Sequence, residues 1–306
     1  MTNLDLTRRS LIASAAALPL IGLAQTARAK APMLGPATTR FNRFMLGEFE
    51  VTTLLSNSLS VPDPHNIFGL NVSAEDFADA SEKAKLPTDK SQFFFTPTVV
   101  NSGAELVLFD TGQSSGDITA ALGAAGYAPD QIDIVVITHM HGDHIGGLIH
   151  EGSATFPNAR YVTGAVEFDA WAGMESQKFD SNMKPLADKT TMLAPDASII
   201  SGITAVESFG HTPGHMTYMI ESDGQMLLIA ADFANHYVWS LAHPDWEVKF
   251  DMDKAAAATT RRKLLDMLST DRIPFVGYHM PWPAVGYVDK HGDSYHYVPE
   301  SYQLSL

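Results

Sequence analysis

Ile134-Val135-Val136-Ile137-Thr138-His139-Met140-His141-Gly142-Asp143-His144 joins an unbroken apolar run to a cluster of histidines and an aspartate. Four β-branched apolar residues in a row are too few for a helix. They read as a strand buried on both faces, in the middle of a sheet that helices cover. The polar residues that follow at once fall in the loop at the strand's end, where functional groups collect. His139 and His141 are two apart, so on extended backbone their side chains point the same way and can share one ion. Asp143 and His144 come next, and Gly142 lets the chain turn tightly enough to aim them at a second ion beside the first. Neutral imidazoles with carboxylates suit zinc, manganese, iron or cobalt, and a mixed His/Asp set is typical of hydrolytic rather than structural sites.

The same strand-and-helix alternation extends to both sides. Residues 49–55 read as a strand. Residues 98–100 and 106–110 read as a hairpin whose turn carries Asn101 and Gly103 for positive φ. Residues 117–126 read as a helix opened by Asp117 and closed by Gly126. Downstream, residues 203–208 read as a strand and residues 217–221 and 226–229 as a hairpin across Ser222-Asp223-Gly224. Residues 253–268 form an amphipathic helix with Leu264, Leu265 and Leu268 on one side, and residues 275–278 a last short strand. Residues 62–92 and 171–196 are polar and poorly periodic, and read as loops or lids at the edge of the site. Two such halves, roughly 41–196 and 197–306, with no Pro/Ser/Gly-rich linker between them, predict one layered α/β sandwich over residues 30–306.

The first residues read differently. Thr7-Arg8-Arg9-Ser10, an Ala/Leu-rich stretch and Ala27-Arg28-Ala29 match a twin-arginine export signal spanning residues 1–29. The reading predicts a periplasmic or secreted protein with no membrane span after the signal is removed. Composition narrows the partners. The 306 residues are 45% hydrophobic and 18% charged, ordinary globular values. A net charge of −15 argues against nucleic acid and anionic lipid. With no cysteine, thiolate nucleophiles and Cys-type zinc sites are excluded, and the unusual feature is 12 histidines, about half of them in two short clusters and their immediate partners.

H-x-H-x-D-H after an apolar strand, with His211-Thr212-Pro213-Gly214-His215 downstream, resembles the metallo-β-lactamase-fold hydrolases. The resemblance implies a four-layered αββα sandwich of two similar halves. It implies two divalent metal ions, zinc first among the candidates: one held by His139, His141 and His215, the second by Asp143, His144 and His279. Asp232, after the apolar run 227–231, would bridge them. Asp110 would brace the ligand loop without binding metal, and His211 is left as an outer or strand-end residue. His65, His150, His243, His291 and His296 carry no expected role.

What the resemblance implies for activity is a hydroxide held between two cations, with Asp143 as the catalytic carboxylate that steers it and passes a proton. The stretches 45–52, 125–133 and 284–287 look like the exported branch that contains methyl parathion hydrolase and quorum-quenching lactonases. The expected substrate is therefore a small lactone or ester, with organophosphate triesters as a further class and a homodimer as the expected assembly. Trp171 and Phe168 are candidate substrate-wall residues, and His236 or Tyr237 a candidate donor on the oxyanion side. Two alternatives stay open: a periplasmic metal-binding protein without turnover, and a β-lactamase-type amide hydrolase. A bridging Asp232 argues against the latter, because antibiotic-cleaving members of that family lack it.

Overall fold

β7 (Ile134–Ile137) alternates as a doubly covered strand must: Ile134 and Val136 face one hydrophobic cluster, Val135 and Ile137 another. The computed structural model that shows this describes Met33 and residues 37–301, and the expected export signal lies outside the described residues. Ahead of β7 come the hairpin β1 (Phe41–Leu46) and β2 (Phe49–Leu54), then β3 (Asn57–Pro62). Helix α1 (Ala74–Lys83) leads to β4 (Lys90–Phe95), β5 (Thr98–Asn101), β6 (Leu106–Phe109) and helix α2 (Ser115–Ala125). After β7 a single helical turn, α3 (Gly142–Ile145), is followed by the two-residue strands β8 (Ile149–His150) and β9 (Ser153–Ala154). β10 (Arg160–Gly164), α4 (Ala165–Ala172), α5 (Gln177–Asn182) and β11 (Thr190–Leu193) complete the first half.

The second half holds β12 (Ser198–Ile200), β13 (Ile203–Glu207), β14 (Met216–Ser222) and β15 (Gln225–Ala231). A π-helical turn, Tyr237–Ala242, and the long helix α6 (Lys254–Asp271) lead to β16 (Phe275–Gly277), β17 (Val285–His291) and β18 (Ser294–Pro299). The strands form two seven-stranded sheets, ordered β1-β2-β5-β6-β7-β10-β11 and β12-β13-β14-β15-β16-β17-β18, with β3–β4 and β8–β9 paired as separate two-stranded ribbons.

The inner faces meet in one core, where Val51, Val100, Phe109 and Val136 pack with Ala205, Tyr218, Ile220 and Ala230. Outside the first sheet, Ile118, Ala121 and Leu122 of α2 lie on Val135, Ile137 and Tyr161. Outside the second, α6 packs against β17 and buries Leu264, Leu265 and Leu268. The order helix, sheet, sheet, helix is the four-layered α/β sandwich of the expected class. Among the described residues no helix is long and apolar enough to cross a membrane.

Several elements differ from their expectation. α2 starts at Ser115 because Ser114 is the cap: its Oγ accepts the Asp117 N–H at 3.2 Å. Residues 62–92 contain α1, whose buried face is only Phe77 and the small, polar Ser81, too thin to register as a hydrophobic period. Residues 171–196 contain α5 and β11 for a similar reason. Residues 275–277 are not the last strand; β17 and β18 follow, mixing aromatic and charged residues. Gly142 has no positive φ: it opens the α3 turn, and the chain bends there by a helical turn with His141 as its cap.

Candidate metal centre

Three polar loops meet at one end of the sandwich: the loop after β7, the loop between β13 and β14, and the segment after β15, joined by the residue pair after β16. His139 Nε2 and His141 Nδ1 lie 3.0 Å apart, and His211 Nε2 lies 3.0 Å from the same His141 Nδ1. On the other side His144 Nε2 and His279 Nε2 lie 3.7 and 3.4 Å from Asp143 Oδ2. Asp232 stands between the two groups. Its Oδ2 is 3.4 Å from His211 and 3.3 Å from His279, and its Oδ1 is 3.3 Å from His144. Tetrahedral zinc with nitrogen ligands at 2.0–2.1 Å sets neighbouring ligand atoms about 3.3 Å apart, the spacing found here.

The protons in this cluster point the wrong way for it to hold itself together. His211 Nδ1 donates to Asp251 Oδ1 at 2.8 Å, His144 Nδ1 to Asp110 Oδ2 at 2.8 Å, and His279 Nδ1 to the Phe94 carbonyl at 2.8 Å. With the hydrogen fixed on the far nitrogen, each Nε2 presents a lone pair inward. His144 Nε2 and Asp232 Oδ1 are fully buried and have no hydrogen-bond partner among the described residues. Imidazole nitrogens and carboxylates converging at this spacing call for positive charge between them, as divalent cations or, in their place, as protons, so the donor set fits divalent metal.

Electrostatics agree. Burial pushes His141 down to about 3, with His211 beside it adding to the effect, and His139 falls well below its usual value for the same reason. Burial also pushes His279 down, but Asp232 and Asp143 outweigh it and hold the imidazole up at about 10. His144 is likewise raised well above its usual value by Asp232 and Asp110 against the burial penalty. Burial raises Asp143, and the neighbouring His144 and His279 outweigh it, giving about 2. Where no metal sits, two protons do part of its work.

The structure corrects one expected ligand. His215 does not face the cluster: its Nδ1 donates to the Ser208 carbonyl at 3.0 Å and its Nε2 accepts the Asp232 backbone N–H at 3.2 Å, so both nitrogens are spent. His211 takes the inward place. Two histidines four apart in one loop cannot be told apart by spacing. What separates them is that His215 immediately precedes β14 and is held to the backbone, while His211 sits farther out on the loop. His139, His141, Asp143, His144, Asp232 and His279 are brought together. Asp110 lies one layer behind: its Oδ1 accepts the Thr138 N–H and its Oδ2 the Thr138 hydroxyl, each at 2.9 Å, beside the bond to His144.

Three supporting residues escaped the sequence reading. Asp251, which receives His211, is itself gripped by the buried Arg261 of α6 at 2.7 Å. Arg261 also donates to the carbonyl of Phe233, the residue after Asp232, at 2.9 Å. Glu167 of α4, fully buried, accepts the Met140 N–H at 2.9 Å with one oxygen. With the other it accepts the Thr212 hydroxyl at 2.7 Å and the Gly214 N–H at 2.8 Å, tying the two histidine loops together. An acid in a short helix and an arginine in a long one carry no sequence signal for such roles.

A cavity of about 380 Å³ opens onto His141, Asp143, Asp232 and His279, walled by Leu59, Val61, Ile67, Phe93, Phe95 and Phe250. The expected wall residues lie elsewhere. Phe168 packs on Phe179 at 5.2 Å under the first sheet, and Trp171 stands edge-on to His141 at 5.8 Å without lining the cavity. His236 and Tyr237 line a separate cavity that shares His279.

The metallo-beta-lactamase superfamily description matches residues 96–277. An N-acyl homoserine lactonase of Bacillus thuringiensis is 27% identical over 113 residues, 36% of this chain and 42% of that protein. One of Bacillus cereus is 23% identical over 146 residues, 48% of this chain and 56% of that protein. The chain thus spans about half the length of the curated relatives it matches. Among solved structures, the dizinc quorum-quenching lactonase AidC, in complex with a product, superposes with a TM-score of 0.79 at 22% identity, covering 86% of this chain and 98% of that one. A hydrolase of the beta lactamase superfamily, AbOPH, gives 0.80 at 22% identity, covering 87% and 99%. At that identity these two show the fold.

Proposed function

Because the chain belongs to the metallo-beta-lactamase superfamily, we propose that it is a dinuclear metal-dependent hydrolase of small lactones or esters. The observation that carries this is the pair of ligand groups, His139–His141–His211 and Asp143–His144–His279, with Asp232 within 3.4 Å of a nitrogen in each. Two divalent cations held there, zinc before manganese, iron or cobalt, would supply Lewis acidity and a water ionised near neutral pH. The chain's own part is to fix the lone pairs inward through Asp251, Asp110 and the Phe94 carbonyl, and to exclude bulk water with the apolar wall. Asp143, ionised at neutral pH, accepts a proton as water adds to the acyl carbon, and returns one to the alcohol oxygen as the carbon–oxygen bond breaks.

The apolar wall and the named activity of the relatives both favour an acyl compound with a hydrocarbon tail. The same chemistry extends to organophosphate triesters as a second class. The twin-arginine segment alone supports action outside the cytoplasm. The test is turnover of an acyl-homoserine lactone, p-nitrophenyl acetate, methyl paraoxon and nitrocefin by metal-loaded protein, chelated protein and Asp143→Asn. Lactone or ester turnover lost on chelation and in the variant supports the reading. Equal rates in all three samples would refute it, and turnover of nitrocefin alone would favour the amide-hydrolase alternative.

A further inference from the structure

The β3–β4 ribbon is a partition with a cavity on each side. In its register Leu59 pairs with Phe93, and Ser60 with Gln92. Alternation sends Leu59, Val61, Phe93 and Phe95 to the metal-side cavity, while Ser60, Lys90, Gln92 and Phe94 line a second cavity of about 320 Å³. His279 belongs to both: its Nε2 faces Asp143 and Asp232, and its Nδ1 is bonded to the carbonyl of Phe94. The second cavity therefore lies directly behind the candidate metal centre.

Its lining is unusual for a chain of net charge −15. The other large cavities each carry carboxylates: Asp143 and Asp232, Asp271 and Glu300, Asp76 and Asp79. This one has none and contains Lys90. His236, 7% exposed, accepts the Val238 and Trp239 N–H groups on Nδ1, both at 3.1 Å, so its proton is on Nε2. That Nε2–H finds no acceptor among the described residues, on a ring stacked 4.1 Å from Trp239. The buried donor of His236 and the cation of Lys90 thus stand in one cavity, with Leu86, Phe94 and Pro281 supplying apolar surface beside them.

We propose that this second cavity binds a carboxylate-bearing small molecule with an apolar body, held by Lys90 and the Nε2–H of His236. Hydrolysis of an ester or lactone releases an acid of this class next to His279, so the occupant assigned is the reaction's own product. That assignment rests on the hydrolase reading; the anion site does not. A bound acid would leave the metal side of His279 for the next substrate while remaining in the protein.

The test is calorimetric titration of the metal-loaded protein with hexanoate and, as neutral isostere, hexanamide. Hexanoate should bind and hexanamide should bind at least about tenfold more weakly, the scale of one charge-assisted hydrogen bond. Lys90→Met and His236→Asn, whose amide oxygen can still accept the Val238 and Trp239 N–H groups, should each weaken hexanoate about tenfold at unchanged metal content. Hexanoate affinity unchanged in both variants would place the acid on the metals and overturn the proposal, as would equal binding of hexanamide. If no lactone or ester is turned over but hexanoate binding depends on Lys90 and His236, the hydrolase reading falls and this site stands.

Discussion

Replacing Asp251 with Asn should cost the protein its hold on the ion at His139, His141 and His211, although Asp251 touches no ion. Asp251 has two buried neighbours with opposite demands. Its Oδ1 receives His211 Nδ1–H at 2.8 Å and its Oδ2 receives the Arg261 guanidinium at 2.7 Å. A carboxylate serves both, whereas a carboxamide has one oxygen. Arg261 is permanently charged and 1% exposed, so the oxygen goes to it and the amide NH₂ turns to His211. Facing a donor, His211 takes the tautomer with its hydrogen on Nε2, and the lone pair that faced the cluster is gone.

Loss of a residue that orients a metal-bound imidazole typically costs 10–100-fold in affinity, or about 1.4–2.7 kcal/mol. Here the tautomer itself is wrong, so the upper end is expected. The assay is competition with a chromophoric chelator, with denaturant unfolding as a control for global damage. Adding Arg261→Met frees the carboxamide to turn its oxygen to His211, and should recover at least part of the affinity despite leaving the Phe233 and Pro244 carbonyls without their donor. Unchanged affinity in Asp251→Asn, or a double variant no better than the single, would refute the tautomer argument.

Three further outcomes are expected. Glu167→Gln keeps the shape but turns one donor towards the Met140, Thr212 or Gly214 groups, and should destabilise the fold by about 1–3 kcal/mol in denaturant unfolding. A change below about 0.5 kcal/mol would mean that the two loops do not depend on this tie. Metal affinity should rise with pH, about tenfold per pH unit for each proton displaced from His144 and His279. In chelated protein the sign is reversed for stability. His279 titrates near 10 when folded against an ordinary 6.5, so its stabilisation is complete below 6.5 and is lost as pH rises through 10. Thermal melts of chelated protein from pH 7 to 10 check this, and a melting temperature that rose over that window would contradict it.

How much of this was legible depended on whether a residue's role is local. β7 and the loop after it could be read because an all-apolar strand and an H-x-H-x-D-H spacing are local patterns. Asp232 and His279 were placed by their order in the family resemblance together with the short apolar strands they follow. His211 and His215 were exchanged because the choice between them is made by the Ser208 carbonyl and the Asp232 amide, groups that only the folded loop brings close. Arg261 and Glu167 were invisible for the same reason: their partners are 10 to 47 residues away. α1 was missed because its buried face is two residues wide, and β17 and β18 because their aromatic and charged residues mask a strand period.

The paired ligand groups imply a two-ion centre in which His211, not His215, completes the first group. Elemental analysis of metal-reconstituted, dialysed protein tests it directly in three samples: the unaltered chain, His211→Ala and His215→Ala. About two ions per chain are expected in the first, a lower count in His211→Ala, and about two in whatever fraction of His215→Ala remains folded. No bound ion in the unaltered chain, or a count that falls in His215→Ala and not in His211→Ala, would contradict it.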